Sequence, residues 1–485
     1  MSGPLVLGHV PADNALYYGD CLEWMSKWAS ESVDLIYLDP PFNSKQDYNM
    51  LYSAEVAGDA QYRAFADTWV WDDAAADRYE RFDGQVGDTA RAIRGLRRIL
   101  GESGMLAYLT YMTERLAECH RLLKPTGSLW LHCDPTASHP LKMVLDVIFG
   151  PGRFRNEIIW CYPPKGRGPA KGFHRKHDVL LYYSKSGNKT AGTFHRPYTP
   201  LTAGARAKFS MTDQDGRKYK EFKGRRTYLD ESKGRPVPSW WTDIAPAGQS
   251  RNEYLGYETQ KPVKLLRRII ETCTNRGDLV LDPFCGCGTT VSAARSLGRR
   301  WVGIDISSFA VDVIRERLED RTIPVYGIPY DLLSARRMAA DDPFGFETWA
   351  VNRLRGFVPN TRQVADGGID GRGRLADQPD DWHTRLALAQ VKGSKHPPID
   401  GLRAFSSVLD HRKAALGCYV TVDPFDTESA RRVRAHPAQI HVGGYPYRRL
   451  NRWSIADYFD QRPPPPLPPM NNPYTGRKMA QDSLF

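Results

Sequence analysis

LVLDPFCGCGTT, residues 279–290, is the stretch that decides the fold of this chain. Its apolar start predicts a buried strand that breaks at a glycine turn, and the following segment, Val291 to Leu297, predicts a helix. Gly286 and Gly288 let backbone amides approach a ligand closely, and a helix N-terminus adds partial positive charge. The stretch therefore predicts a strand, turn and helix with a binding site at the turn.

A second apolar strand follows at Trp301 to Ile304 and ends in Asp305. This acid lies about 20 residues beyond the glycine turn, where nucleotide-binding sheets place an acidic residue against ribose hydroxyls. The combination predicts a nucleotide-like ligand.

Near the start of the chain, the apolar run Val33 to Leu38 precedes the tetrapeptide Asp39-Pro40-Pro41-Phe42. In open α/β sheets, ligands bind at the carboxyl ends of such strands. The tetrapeptide resembles the amino-group pocket of a DNA methyltransferase: an exocyclic base amine is a poor nucleophile, and the Asp39 carboxylate and Pro40 carbonyl would accept its two hydrogens. Phe42 would offer a face for a flipped base. Alternatively, the prolines merely end a loop.

These two strings together resemble the permuted, beta-group DNA amino-methyltransferases, in which the catalytic motif precedes the S-adenosylmethionine motif. The resemblance covers roughly residues 14 to 330 and includes the blocks 127–132, 144–150, 156–160, 177–185 and 259–262. It implies an α/β, Rossmann-like methyltransferase sheet with an inserted target-recognition region.

The resemblance also implies the roles of individual residues. The catalytic residues would be Asp39, Pro40, Pro41 and Phe42. S-adenosylmethionine would contact Asp282, Phe284, Gly286, Gly288, Thr289 and Asp305, with Asp20 and Lys261 as further candidates. An aspartate at the first catalytic position resembles the adenine-N6 branch rather than the cytosine-N4 branch, where serine is usual.

Basic charge is concentrated in one segment. Residues 151–240 hold 20 Lys plus Arg against 7 Asp plus Glu, whereas the formal net charge of all 485 residues is +11. Aromatic residues and glycines interrupt this basic sequence, a composition that suits contacts with phosphates and base edges. We expect 151–240 to be a target-recognition region for double-stranded DNA, the alternative being a solvated loop.

The remaining pattern up to residue 330 favours a doubly wound sheet. Apolar residues recur every three or four positions from Met105 to Leu123, which predicts an amphipathic helix, and Ser128 to His132 predicts the next strand. We expect residues 1–150 and 241–330 to form the methyltransferase domain, and residues 43–100 to be an insertion that either clamps DNA or packs.

The cysteine pattern and the apolar runs indicate whether the protein binds zinc and where in the cell it acts. None of the 8 cysteines forms a pair with two intervening residues, and Cys285 and Cys287 alternate with glycines, so small-residue packing is favoured over zinc. No apolar run is long enough for a membrane span, and the N-terminus lacks a signal-peptide pattern. We expect a cytoplasmic, nucleoid-associated protein of a prokaryote or phage, of undefined oligomeric state.

A second resemblance begins near residue 340. Residues 367–371 and 386–392 are similar to the core of Mrr-type PD-(D/E)xK nucleases, over about 340–460. This implies a smaller α/β restriction-endonuclease-like domain in which Asp370 and Gln390 hold Mg²⁺, with Lys392 polarising water and Glu347 nearby. Gln390 departs from the usual carboxylate, although the Mrr-type branch commonly tolerates glutamine.

Three interpretations of this domain stay open. It is an active nuclease blocked by self-methylation, a silent nuclease fold kept for DNA binding, or an α/β appendage that only packs. A nuclease that cuts its partner's methylated site is disfavoured because it would destroy the host chromosome.

The segment 461–485 contains a proline run, so we expect a flexible tail without a packed core. Its last five residues resemble the bacterial sliding-clamp motif, with Gln481, Leu484 and Phe485 as the contacts. A chance apolar terminus is the alternative.

The sequence thus predicts a DNA methyltransferase that transfers a methyl group from S-adenosylmethionine to the N6 amine of adenine by base flipping. The alternatives are an N4-cytosine enzyme, a single-chain restriction and modification enzyme, or a non-catalytic DNA-binding regulator.

Overall fold

The computed structural model describes residues 8–41, 69–163, 171–188, 190–249, 253, 260–360, 368–376, 385–393, 399–424, 439–462 and 465–471. Phe42 and the clamp-like pentapeptide at 481–485 lie outside these residues.

The strands of the first unit are β1 Ala15–Tyr18, β2 Val33–Leu38, β3 Leu123–Cys133, β4 Phe154–Cys161, β5 His177–Ser184, β6 Tyr198–Thr199, β7 Met211–Thr212, β8 Lys218–Phe222, β9 Arg225–Tyr228, β10 Arg235–Pro236, β11 Trp240–Trp241, β12 Leu279–Asp282, β13 Arg300–Asp305 and β14 Val325–Tyr326. Its helices are α1 Cys21–Ser26, α2 Asp73–Asp83, α3 Asp88–Leu100, α4 Gly104–Leu122, α5 Pro135–Phe149, α6 Ala203–Ala207, α7 Val263–Cys273, α8 Thr289–Ser296 and α9 Ser308–Arg317. Short 3₁₀ turns occur at Pro151–Arg153 and Ala247–Gln249.

Nine of these strands form one mixed sheet, in the order β11-β4-β5-β3-β2-β12-β13-β1-β14. All neighbouring pairs are parallel except β3–β5 and β4–β5, because β5 runs antiparallel. Apolar side chains alternate along β2: Ile36 and Leu38 face a core shared with α2 to α5, whereas Leu35 and Tyr37 face a core shared with α7 and α8. Helices therefore cover both faces, as the predicted doubly wound fold requires.

The boundaries predicted for the target-recognition region are wrong at its ends. β4 and β5 lie within 151–240 and β11 begins at its last residue, yet all three are strands of the central sheet. Their apolar side chains, such as Trp160 and Leu180, are buried between neighbouring strands and helices, so burial rather than net charge sets their place. The part outside the sheet is β6 to β10, arranged as a two-stranded and a three-stranded sheet.

The second unit contains β15 Phe357–Pro359, β16 Gly371–Arg374, β17 Leu386–Lys392, β18 Leu416–Thr421, β19 Gln439–Val442, β20 Tyr445–Arg448 and β21 Leu450–Ser454. Its helices are α10 Leu332–Asp341, α11 Pro343–Val351, α12 Ile399–His411 and α13 Ile455–Phe459. Five strands form a sheet in the order β15-β16-β17-β18-β21, and two apolar clusters pack against it.

The prediction of a flexible tail is wrong for residues 465–471. Met470 is buried, and it fills space beside Gly356 and Gly373, where a Cβ on either glycine would collide with it. The backbone also pairs with the second unit, because Ala376 donates a hydrogen bond to the Pro469 carbonyl at 2.8 Å. One apolar anchor and an extended backbone are enough to dock a segment that has no core of its own.

Candidate active site

The carboxyl ends of β2 and β12 are adjacent in the sheet, and they open onto one cavity of about 580 Å³. Strand order diverges here, since β2 leads to β3 on one side while β12 leads to β13 on the other. Crevices at such switch points are the usual ligand sites of open α/β sheets. Most of the predicted site residues line this cavity: Asp39, Pro40, Pro41, Lys261, Asp282, Phe284, Gly286, Thr289 and Asp305.

Asp39 follows β2 and is held by an ion pair. The Lys261 ammonium, just before α7, lies 2.8 Å from Oδ1 and 2.7 Å from Oδ2 of Asp39. Only 16% of the Asp39 side chain and 10% of the Lys261 side chain is exposed. Lys261, predicted as a cofactor contact, is thus also the charge partner of the predicted catalytic carboxylate.

The glycine turn after β12 is built around Asp305. Its carboxylate accepts hydrogen bonds from the Gly286 amide at 2.8 Å and the Ser307 amide at 2.9 Å. Gly286 has a φ of +49°, and a Cβ there would meet no atom within 4 Å. Because Gly286 lines the cavity, its missing side chain leaves space for a ligand beside Asp305.

Gly288 has a steric role beneath this turn. Its φ is +73°, it caps α8, and an added Cβ would lie 2.5 Å from Cγ1 of Ile314. Two predicted cofactor residues, Gly288 and Asp20, are not among the described residues that line the cavity. The Asp20 carboxylate caps α1 and pairs with Arg115, so a cofactor role for either residue stays a prediction.

Two acids of the cavity have strongly perturbed ionisation. Burial raises the pKa of Asp282 to about 7, although hydrogen bonds from Thr290 and the Phe284 amide oppose the shift. Burial also raises the pKa of Asp305 to about 6, against the two amides that it accepts. Such shifted acids in a cleft are typical of functional sites.

A buried polar network that the sequence did not predict lies in the same cavity wall. His132 bonds to the Tyr37 hydroxyl through Nδ1 at 2.9 Å and to Asp178 Oδ2 through Nε2 at 3.0 Å. The Tyr162 hydroxyl donates to Asp178 Oδ1 at 3.1 Å. These four residues come from or adjoin β2, β3, β5 and β4. The sequence signal for this network was His132 near the carboxyl end of β3 and Asp178 at the amino end of β5, its antiparallel neighbour.

In the second unit, Asp370 and Gln390 lie on adjacent backbone segments. The Asp370 amide donates to the Ala389 carbonyl at 3.0 Å, and the Asp370 carboxylate accepts from the Val391 amide at 2.7 Å. Gln390 donates its amide nitrogen to the Gly368 carbonyl at 2.7 Å, and among the described residues its buried Oε1 has no hydrogen-bond partner. A free buried oxygen beside a carboxylate fits the predicted Mg²⁺ site.

Two other predicted residues lie near this pair. Lys392 follows Gln390 by two positions on β17, and Glu347 lies on α11, which packs against β17. Across the part of the chain that the structure describes, no three His, Cys, Asp or Glu side chains form a metal-binding group.

None of the described helices is both long enough and apolar enough to span a bilayer.

Relatives of known name resemble the first unit. The chain is 30% identical over 310 residues to the type II methyltransferase M.BamHI of Bacillus amyloliquefaciens, covering 63% of this chain and 57% of that protein. It is 25% identical over 305 residues to the DNA adenine methyltransferase YhdJ of Escherichia coli K12, covering 63% and 82%. The chain thus matches a little over half of the length of M.BamHI.

Solved structures align over a similar share. The M1.HpyAVI complex with SAM aligns at 17% identity and a TM-score of 0.34, covering 62% of this chain and 98% of that one. The cytosine-N4-specific PvuII DNA methyltransferase aligns at 14% identity and a TM-score of 0.37, covering 65% and 89%.

Family models match both units. Residues 339–443 match a restriction endonuclease family, which agrees with the predicted Mrr-type domain. Residues 33–316, more than half of the chain, match the DNA methylase family of N6 and N4 enzymes. The predicted family is confirmed: this chain belongs to the DNA methylases, and it carries a restriction endonuclease-like domain after the methylase unit.

Proposed function

We propose that this protein is a site-specific DNA methyltransferase that transfers a methyl group from S-adenosylmethionine to the N6 amine of adenine in double-stranded DNA. The observation that carries the proposal is the single cavity that joins Asp39, Pro40 and Pro41 to the turn between Asp282 and Asp305. An amine held at the first end can reach a methyl donor held at the second without leaving the cavity.

The cofactor end has groups that suit S-adenosylmethionine. Asp305 offers carboxylate oxygens to ribose hydroxyls, Phe284 offers an aromatic face, and Gly286 leaves room for the ligand. The bound cofactor supplies an electrophilic methyl group on a sulfonium. Because burial favours the neutral form of Asp282, a nearby positive charge would stabilise its ionised form.

The base end must accept both amine hydrogens. The Asp39 carboxylate and the Pro40 carbonyl supply the acceptors, and proline fixes the backbone that aims the carbonyl. Lys261 bonds to both Asp39 oxygens, so the amine has to share Asp39 with Lys261 or displace it. The bound cofactor would supply the methyl group: as the amine nitrogen bonds to the methyl carbon, the carbon–sulfur bond would break and the sulfur would leave as a neutral thioether. The nitrogen would lose one proton to Asp39 or to water, and no covalent enzyme intermediate would be needed.

The choice of adenine is supported by two observations. Aspartate rather than serine occupies position 39, and the relative YhdJ is named as a DNA adenine methyltransferase. N4-cytosine is the alternative. Product analysis decides between them, since N6-methyladenine and N4-methylcytosine are separable nucleosides.

The DNA partner is supported by the basic hairpin of β8 and β9. Phe222 at its tip is 74% exposed, and the neighbouring Lys223, Arg225 and Arg226 are exposed cations. Such a ribbon suits contact with phosphates and a groove. Because β5 runs antiparallel, its carboxyl end lies at the end of the strands opposite the cavity, and β6 to β10 follow from there.

Asp39→Ala tests the proposed chemistry. It should remove methyl transfer to plasmid DNA while leaving the Kd for S-adenosylmethionine within about twofold, because the cofactor end is intact. A variant that methylates at a near-normal rate would remove Asp39 from the mechanism.

A second activity, Mg²⁺-dependent DNA cleavage, is favoured by the buried Gln390 Oε1, for which the described residues provide no hydrogen-bond partner, and by Asp370 on the adjacent backbone segment. Asp370 and Gln390 would hold Mg²⁺, which would polarise the scissile phosphate and water. Cleavage suppressed by prior methylation would make the protein a restriction and modification enzyme. Asp370→Ala should abolish cleavage and leave methylation unchanged, whereas a wild-type protein that never cuts would leave DNA binding or packing as the role of this domain.

A further partner is the bacterial sliding clamp, through Gln481, Leu484 and Phe485. The support is their resemblance to the clamp-binding motif. Leu484→Ala with Phe485→Ala should abolish retention on immobilised clamp without changing methylation of free plasmid, and retention of this double variant would exclude the motif.

A further inference from the structure

Tyr37, His132, Asp178 and Tyr162 form a hydrogen-bonded network at the wall of the cavity, with Tyr37 and His132 buried and Asp178 and Tyr162 half-buried. His132 is fully buried, and the ring of Trp160 packs edge-on against it at 5.8 Å between centroids. Tyr37, Asp178 and Tyr162 line the cavity itself. A polar network whose members are hydrogen-bonded to one another holds its side chains in place.

The two ring nitrogens of His132 bond to different partners. With the proton on Nε2, the His132 Nε2–H donates to Asp178 and Nδ1 accepts from the Tyr37 hydroxyl. Asp178 is suited to this role as a carboxylate. Burial alone would raise its pKa, but the bonds from His132 and Tyr162 and the charge of Lys261 together lower the pKa of Asp178.

Tyr37 is a neutral donor in the same arrangement. Burial, followed by the charges of Asp39, Asp282 and Asp178, raises the pKa of Tyr37 well above its usual value. Tyr37 precedes Asp39 by two residues, and both side chains line the cavity. An anchored Tyr37 therefore fixes the backbone immediately before the catalytic turn.

We propose that Asp178 is a positioning residue for methyl transfer, acting through His132 to fix Tyr37 and with it the Asp39 end of β2. The inference rests on the proposed methyltransferase function and deepens it. Amine activation needs two acceptors, on Asp39 and Pro40, at defined positions, and a shift of about 1 Å in such a site can cost roughly 100-fold in rate.

The test uses the full chain in steady-state methylation of plasmid DNA. Asp178→Asn and Tyr37→Phe should each lower kcat by roughly 10- to 100-fold, while KM for S-adenosylmethionine stays within about twofold. The double variant should be no slower than the worse single variant, because both changes break one chain of contacts. Asp178→Glu should recover part of the lost rate.

Asp146→Asn is the matched control. Asp146 also accepts a hydrogen bond from a strand β5 tyrosine, Tyr183, at 2.7 Å, and pairs with Lys142, but it does not line the cavity. Its kcat should equal that of the wild type. If Asp178→Asn fails to fold, the kcat of Tyr37→Phe tests the positioning role instead, since that variant removes only one oxygen atom.

The outcomes separate the two proposals. Single variants with kcat within about twofold of the wild type, or a double variant whose losses multiply, would overturn the positioning role and leave the methyltransferase proposal standing. A wild-type protein that methylates no DNA would overturn both.

Discussion

Replacing Lys261 by methionine would leave Asp39 as a carboxylate without its charge partner. The two side chains are 10% and 16% exposed, and the ammonium contacts both carboxylate oxygens within 2.8 Å. Breaking a buried pair from one side costs about 3 to 5 kcal/mol. Because Asp39 also lines a cavity that admits water, we expect Lys261→Met to lower the free energy of unfolding by about 2 to 3 kcal/mol.

The assay is urea denaturation of a double-mutant cycle with Lys261→Met, Asp39→Asn and the double variant. The double variant should be more stable than Lys261→Met alone, because it removes the stranded charge together with its partner. The exposed pair Asp88 and Arg91, with side chains 77% and 76% exposed, is the control and should show no measurable coupling. If the losses in the free energy of unfolding caused by Lys261→Met and Asp39→Asn were additive in the double variant, the reasoning would be refuted.

Three further predictions concern the cofactor end. Gly288→Ala should destabilise the protein by about 1 to 3 kcal/mol in the same denaturation assay, because φ is +73° and the added Cβ would collide with Ile314. The control is Gly95→Ala, at a helical position where an added Cβ meets no atom, and it should be neutral or stabilising. The pKa of Asp282 is raised to about 7, so the folded state binds a proton more tightly than the unfolded state. The stability that this protonated carboxyl contributes should be lost as pH rises from about 4 through 7. Asp282→Asn should therefore make the melting temperature depend less on pH. Asp305→Asn should weaken S-adenosylmethionine binding at least tenfold by calorimetry, and unchanged affinity would remove Asp305 from the cofactor site.

The sequence predicted the strands of the catalytic unit because short apolar runs ending in proline or glycine specify buried strands with sharp ends. Val33 to Leu38 and Leu279 to Asp282 form as predicted and lie side by side, so Asp39 and Asp282, 243 positions apart, meet at one cavity. The predicted catalytic tetrapeptide and the glycine turn have local sequence signatures, in their prolines and glycines.

The contacts that cross strands were not predictable. The Lys261 to Asp39 pair depends on where α7 begins relative to β2, and the His132 to Asp178 bond depends on an antiparallel β5 inside a largely parallel sheet. The basic composition of residues 151–240 also led to wrong boundaries for the target-recognition region. Most of that charge lies outside β4 and β5, the apolar strands of this segment that belong to the central sheet. Met470 docks by a single side chain, which no periodic pattern reveals.

The most direct test of the central claim is incubation of the purified chain with unmethylated plasmid and S-adenosylmethionine, with and without Mg²⁺, followed by modification-sensitive sequencing and a gel of the same DNA. The predicted result is N6-methyladenine confined to one short sequence motif, formed without Mg²⁺ and absent with Asp39→Ala. DNA that stays unmethylated after exhaustive incubation, or methylation that Asp39→Ala leaves intact, would contradict the proposal that the cavity at Asp39 performs the reaction.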